Sequence, residues 1–350
     1  MVQLPQLFAF DLYMSNSSQP SVVILGGGTG TFVVASALKT LPVHVTAILT
    51  MVDDGGSNKV LRDEFGLLPT SGIRQCVVAL SENTTLLREL FNYRFHQGNG
   101  INGMTFGNIF MAAMADITGS QKKGIEETCK LLNVKGKILP ISYDDVRLVA
   151  KYEDGSELVG EHLIDEPQHD GTMRIIDVTT QPKAKISEEA KQAIENADLI
   201  ILGPGDFFTN TIADLVIEGV VEAIQSSKGK LCFVSNLMAK YGETYAYTLK
   251  DFFVDLRKYM PLEEIDYVLI NNNLNFSDNL LDLYEKEKDI PVTDNISEAD
   301  IQPNVKLIRT DLLSDVVATQ QAGDVLKRSV VRHSPQKIAR EVSQLLHLEK

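Results

Sequence analysis

The sequence predicts an α/β fold: a three-layer, Rossmann-like domain with a mostly parallel sheet and a small β-rich insertion. Three observations predict it. Short apolar runs alternate with longer stretches of helical periodicity. Several of these runs end directly in glycine-rich or acidic loops, as the strands of an open parallel sheet do at a ligand crevice. Hairpin chemistry is confined to one segment, about residues 136–182.

The first element is Ser21–Leu25 (SVVIL), a buried strand that ends in Gly26-Gly27-Gly28-Thr29-Gly30. Phe32, Val33, Ala37, Leu38 and Leu41 then recur at helical spacing until Pro42 stops them. Val43–Met51 is a second strand, running into Asp53-Asp54-Gly55-Gly56-Ser57, and helical patterns dominate from there to about Asn133. Character changes at Gly136. Lys137–Ser142, Val146–Glu153, Ser156–Leu163 and Met173–Thr179 read as strands, with Asp154-Gly155 as a hairpin turn. Alternation returns at Asp198–Leu202, followed by Gly203-Pro204-Gly205 and a helix expected from about Asn210 to Gln225. Leu231–Ser235, Tyr267–Ile270 and Val305–Arg309 are further strands. Ser334-Pro335 offers an N-cap and an N1 proline to a last helix, whose Ile338, Val342 and Leu345 face the core. With no internal repeat or low-complexity linker, residues 21–350 read as one domain behind an extension of residues 1–20.

Hydrophobic residues make up 44% of the 350 and charged residues 23%, the balance of a soluble globular chain. A net charge of −14 argues against nucleic acid or an anionic membrane as partner. It leaves an anionic small molecule open, because backbone N–H groups bind phosphate without help from net charge. The three cysteines form no CxxC pair and the six histidines are scattered, which fits a reducing cytoplasm and disfavours a structural zinc. Leu4–Tyr13 is too short to span a bilayer and lacks a basic stretch before it.

A strand followed by Gly26–Gly30 and a helix is a phosphate-binding arrangement on physical grounds. Glycines let the backbone approach an anion closely, the helix N-terminus adds unpaired N–H donors, and Thr29 adds a hydroxyl. A dinucleotide fingerprint fails in both registers, since Thr31 or Val33 stands where its third glycine belongs. Asp53 and Asp54 could orient a ribose hydroxyl or hold Mg²⁺ on a diphosphate; alternatively the pair caps a helix. Arg62 and Arg74 are candidate phosphate clamps, or Arg62 pairs with Asp63 or Glu64. Gly203-Pro204-Gly205-Asp206 repeats the strand-end logic, and Asn236 follows the strand LCFVS. Asn108 opens an apolar helix, either as a cap or facing the crevice. Two glycine loops at two strand ends suggest a diphosphate or two ligand halves meeting at one crevice.

Together, VVILGGGTG, VDDGGSNKVLRDEFG, IRQCVVAL, FGNIFMAAM, DLIILGPGDFFTN, the Asn236 to Thr244 segment and Val331-Arg332-His333 resemble the CofD-like superfamily, and within it the YvcK group of gluconeogenesis factors. The resemblance runs in family order from about residue 21 to 345. It implies a phosphate site at Gly26, Gly27, Gly28, Thr29 and Gly30, an acidic loop at Asp53, Asp54, Gly55, Gly56 and Ser57, and a second phosphate loop at Gly203, Pro204 and Gly205. It adds Asn108, Asn236 and Arg332 as polar contributors. CofD itself moves a phospholactyl group from a guanosine diphosphate conjugate to a deazaflavin with Mg²⁺. YvcK-like proteins are implicated as UDP-sugar-binding regulators of carbon metabolism, cell-wall synthesis and cell shape. This chain departs from the family where PGDIRN is replaced by Thr70-Ser71-Gly72-Ile73-Arg74-Gln75, and where GHNxGN is replaced by Gly103-Met104-Thr105-Phe106-Gly107-Asn108. An acid and a histidine are lost, which touches chemistry more than binding. The expected function is therefore nucleotide-sugar binding by a cytoplasmic, homodimeric regulator. The alternative is a phospholactate-type transferase in which Asp53 and Asp54 hold Mg²⁺. A nicotinamide-dependent oxidoreductase is a third and weaker alternative. No other cofactor is implied.

Overall fold

A computed structural model describes residues 19–82, 85–276, 286–315 and 330–348, together with Leu280 and Tyr284. The extension expected at residues 1–20 falls almost wholly outside the described residues.

In chain order, β1 (Ser21–Gly26) leads through α1 (Gly28–Leu38) to β2 (His44–Leu49). Helices α2 (Gly56–Phe65), α3 (Ser71–Leu80), α4 (Thr85–Asn92), α5 (Phe106–Thr118) and α6 (Gln121–Leu131) then cross to β3 (Lys137–Pro140). An insertion follows, made of β4 (Arg147–Tyr152), β5 (Glu157–Val159), α7 (Glu161–Asp165) and β6 (Ile175–Gln181). Helix α8 (Glu188–Glu195) returns the chain to β7 (Leu199–Leu202). A π-helical stretch at Phe207–Ile212 runs into α9 (Ala213–Leu215), and α10 (Val220–Ser226) precedes β8 (Lys230–Val234). The remainder comprises β9 (Met238–Ala239), α11 (Leu249–Leu256), β10 (Ile265–Asn271), β11 (Ile290–Pro291), β12 (Lys306–Thr310) and a last helix, Pro335–Leu345.

The main sheet has seven strands in the order β12-β10-β8-β7-β1-β2-β3, and each of its pairings is parallel. Its strands read as continuous apolar runs because both faces are covered. Val22 and Ile24 of β1 pack with α1, α3 and the last helix, while Val23 and Leu25 pack with α8, α10 and α11. That alternation produces the three expected layers.

Three expectations shift at their edges. Lys137–Pro140 pairs with β2 in the main sheet, so the excursion proper begins at β4 rather than at Gly136. There β5 and β6 flank β4 in a separate antiparallel sheet. The stretch Ser156–Leu163 is strand only at Glu157–Val159. Gly160, at φ 113°, ends it, and α7 begins there with the Asp54 carboxylate accepting from the His162 N–H. The helix expected at Asn210–Gln225 is broken, with Gly219 at φ 96° separating α9 from α10. The last helix starts as expected, with the Ser334 side chain accepting from the Lys337 N–H. No helix of the described residues is long and apolar enough to cross a membrane.

Candidate functional site

The strand order reverses at β1. From there the chain builds outward through β2 and β3, then returns to β7 on the other side of β1. Such a switch point opens a crevice at the carboxyl ends of the two central strands. Both glycine loops stand at that crevice, one after β1 and one after β7. They touch: a Cβ on Gly30 would lie 1.9 Å from the Pro204 carbonyl oxygen, and one on Gly205 3.4 Å from the Gly27 carbonyl oxygen. Glycine at position 30 is therefore what lets the loops close on each other. Asn236, just past β8, donates its amide to the Gly205 carbonyl at 2.8 Å. Asn210 approaches from the π-helical stretch, with its Oδ1 1.9 Å from where a Gly27 Cβ would stand. Gly28 is different. Its φ is +61°, and among the described residues only Asn210 would lie within 4 Å of a Cβ there. The N-terminus of α1 thus presents backbone donors to an uncrowded face, which suits an anion. The Thr31 hydroxyl turns back to the Gly27 carbonyl.

The acidic loop after β2 bonds its carboxylates within the protein. Asp54 binds Arg147 of β4 through Oδ2 at 2.8 Å and accepts from the His162 N–H through Oδ1 at 3.0 Å. Its carboxylate joins the insertion to the main domain. Asp53 accepts from the Gly55 N–H and from Asn58 Nδ2, at 3.0 and 2.6 Å. Asn58 in turn receives Thr70 N, Ser71 N and the Ser71 hydroxyl. Asn108 is fully buried and donates to Ser57 and Ser71, while Thr105 caps its helix instead. The result is a polar network tying α2, α3 and α5 together behind the crevice. Gly55 is the N-cap residue of α2, without a side-chain cap bond, and Gly56 takes φ +48°.

The two candidate arginines of the first half, Arg62 and Arg74, are buried. Arg62 points Nη2 at the Met51 and Val146 carbonyls, 3.4 Å each, and pairs through Nε with Asp145 at 3.2 Å rather than with Asp63 or Glu64. Arg74 donates to Asn92 at 2.5 Å, and its stem lies against Gly107. Arg332 precedes His333, whose Nε2 lies 3.1 Å from the Ser235 carbonyl, next to Asn236. Burial pushes the His333 imidazole down to about 4, so it is neutral near pH 7.

Next to the second glycine loop, beginning at Asp206, stands a group of carboxylates that sequence reasoning reaches only in part. Asp165 of α7, Asp206 after Gly205, and Glu243 offer oxygens within 4.8 Å of one another. Lys240 sits among them, bonded to Asp165 and 3.2 Å from Asp206 and 3.7 Å from Glu243. Glu243 also caps the π-helical stretch, accepting from Phe208 N, Thr209 N and the Thr209 hydroxyl. Burial raises Asp53 to about 6 and Glu243 to about 8, with neighbouring acids adding to both. Burial, followed by the charges of Asp53 and Asp165, raises Glu161 well above the usual carboxylate range. Burial pushes Asp165 up, but the Lys240 charge and hydrogen bonds with Lys240, Glu243 and Asp206 together bring it below that range. Asp165, Asp206 and Glu243 are thus gathered as oxygen groups that could hold a metal ion, while the Asp53 and Asp54 carboxylates carry bonds within the protein. Lys240 already neutralises part of that set.

A parallel α/β protein with glycine loops at its switch point is the class these features define, and the chain belongs to the CofD family, whose sequence model, described as 2-phospho-L-lactate transferase CofD, matches residues 22–313. Within it, the chain is similar to proteins named gluconeogenesis factor. One from Halalkalibacterium halodurans is 36% identical over 92% of this chain and 95% of its own length. One from Bacillus subtilis is 34% identical over 94% of this chain and 98% of its own. A crystal structure of a Bacillus halodurans protein superposes with a TM-score of 0.83 at 35% identity, covering 93% of this chain and 99% of that one.

Proposed function

We propose that the chain is a nucleotide-sugar-binding regulatory protein of the gluconeogenesis-factor type, taking a UDP-sugar and linking carbon metabolism to cell-wall and cell-shape control. The observation that carries this reading is the meeting of the two glycine loops, Gly30 against Pro204 and Asn236 on Gly205, at the switch point. Two sets of backbone groups converging on one crevice suit the two phosphates of a nucleotide diphosphate. Regulation rather than turnover is favoured by the acidic loop, whose carboxylates are bonded within the protein, and by the glycine at position 72.

A second reading, a transferase of the CofD type, is favoured by the Asp165, Asp206 and Glu243 set. These residues would hold Mg²⁺, which supplies charge neutralisation on a transferring phosphate. One experiment separates the two. The protein is titrated with UDP-N-acetylglucosamine, UDP-glucose, GDP and NAD, with and without Mg²⁺, by thermal shift, and the bound nucleotide is then followed by chromatography. The expected outcome is a raised melting temperature with a UDP-sugar and no product. Catalytic release of UDP or UMP would reject the regulatory reading.

A further inference from the structure

Asp214 has no exposed surface, and neither of its carboxylate oxygens has a hydrogen-bond partner among the described residues. A buried acid in that position is costly if it serves packing alone, since an apolar side chain would fill the same space without a desolvation penalty. Its place in the fold is informative. It lies in α9, continuous with the π-helical stretch whose Asn210 reaches Gly27 and Gly28. Thr50, just past β2, has a hydroxyl that is likewise buried and without a hydrogen-bond partner among the described residues. The Thr50 N–H donates to the Gly26 carbonyl at 3.3 Å. Its methyl group would stand 2.9 Å from a Cβ on Gly27. Burial pushes the Asp214 carboxyl well above the carboxylate range, and the Thr50 hydroxyl is near enough to pull it part of the way back.

We propose that Asp214 and Thr50 form the floor of the first glycine loop, and that Asp214 is a positioning residue that sets the Gly26-Gly27 backbone through Thr50. This rests on reading the crevice as a phosphate site. An acid serves there only if it keeps its proton, because a carboxylate under an anion-binding loop would repel the ligand that the loop is built to hold. A neutral carboxyl can hydrogen-bond to Thr50 and adds no charge beneath the phosphate.

The test compares wild type with Asp214→Asn, Asp214→Leu and Thr50→Val, reading amide hydrogen exchange without ligand and calorimetric affinity for UDP-N-acetylglucosamine. In Asp214→Leu and Thr50→Val, exchange at residues 26–31 should quicken by about tenfold while core strands such as β8 stay protected. Affinity should fall in parallel by about tenfold. The amide of Asp214→Asn keeps a polar partner for Thr50 and should restore both. Wild-type exchange at residues 26–31 in Thr50→Val overturns the proposal even if Asp214→Leu fails to fold. Equal loosening across the whole domain also overturns it, since that is general destabilisation. Quickened exchange confined to the loop, in a protein that binds no UDP-sugar, sustains the floor and sinks the ligand reading instead.

Discussion

The glycine loops and the acidic loop follow neighbouring strands, yet they are built on opposite principles. In Gly26–Gly30 and Gly203–Gly205 the backbone does the work: the loops close on each other at Gly30, and Gly28 stays open at φ +61°. In Asp53–Ser57 the side chains do the work, and that work lies inside the protein, at Arg147, His162, Gly55 and Asn58. The comparison teaches that a loop rich in chemically attractive residues can be a joint, while a loop with almost no side chains can leave its backbone donors free. The deciding quantity is how much hydrogen-bonding capacity is left after folding.

The contrast is sharpest at Gly30. Its replacement by alanine places a Cβ against a backbone carbonyl that cannot swing aside, so it should cost about 3 kcal/mol, read from the denaturation midpoint. Normal stability would show that the two loops do not lock. Gly28→Val should leave a cooperative fold, weakened by about 1–2 kcal/mol of left-handed strain. Its affinity for UDP-N-acetylglucosamine should fall by about a hundredfold; unchanged affinity would remove that loop from the site. Asp54→Asn is the converse case. It loosens a part-exposed ion pair and a helix cap, so the melting temperature should drop by the equivalent of about 1 kcal/mol. Affinity should hold with and without chelator, and a loss confined to Mg²⁺ would return Asp54 to the ligand.

The smallest effect is one of pH. Asp53 is raised from 3.8 to about 6, by burial first and then by the charges of Asp54 and Asp165. The folded protein keeps a proton that the unfolded chain releases, so this group costs stability as pH rises from about 4 to 6, and the cost levels off above that. Relative to Asp53→Asn, wild type should lose melting temperature across that window. A flat difference would mean that the acid is not buried against its neighbours.

Much of this was legible in the chain because it depends on local pattern. Fully apolar runs such as LIIL, glycine at strand ends and Ser334-Pro335 before a helical stripe each carry their own physics. The switch point could be anticipated as a place but not as a geometry, since the contact of Gly30 with Pro204 depends on two distant loops. Glu161, Asp165 and Lys240 were out of reach for the same reason. They stand in a helix within the β insertion and in a loop after β9, and they meet only because α7 is brought beside Lys240 and Asp206. Arg62 differs in the other direction: its neighbours in sequence are acids, but its partners are the distant Asp145 and the main-chain carbonyls at positions 51 and 146.

The parallel order of the sheet also sets when the crevice can exist. Val22 is among the first residues of the sheet to be made, and its partner Leu199 belongs to a strand made much later. During synthesis β1 and β2 can pair through a short crossover, but the other wall of the crevice waits for Gly205 and the π-helical stretch beyond it. Long-range parallel pairing of this kind is slow to close. A nascent or truncated chain ending near β3 would carry the first glycine loop and the Asp53–Asn58 part of the acidic network, but neither Arg147 and His162 nor the second glycine loop. If the crevice is the nucleotide site proposed above, ligand competence should arrive late and all at once, with the strand that completes the centre of the sheet.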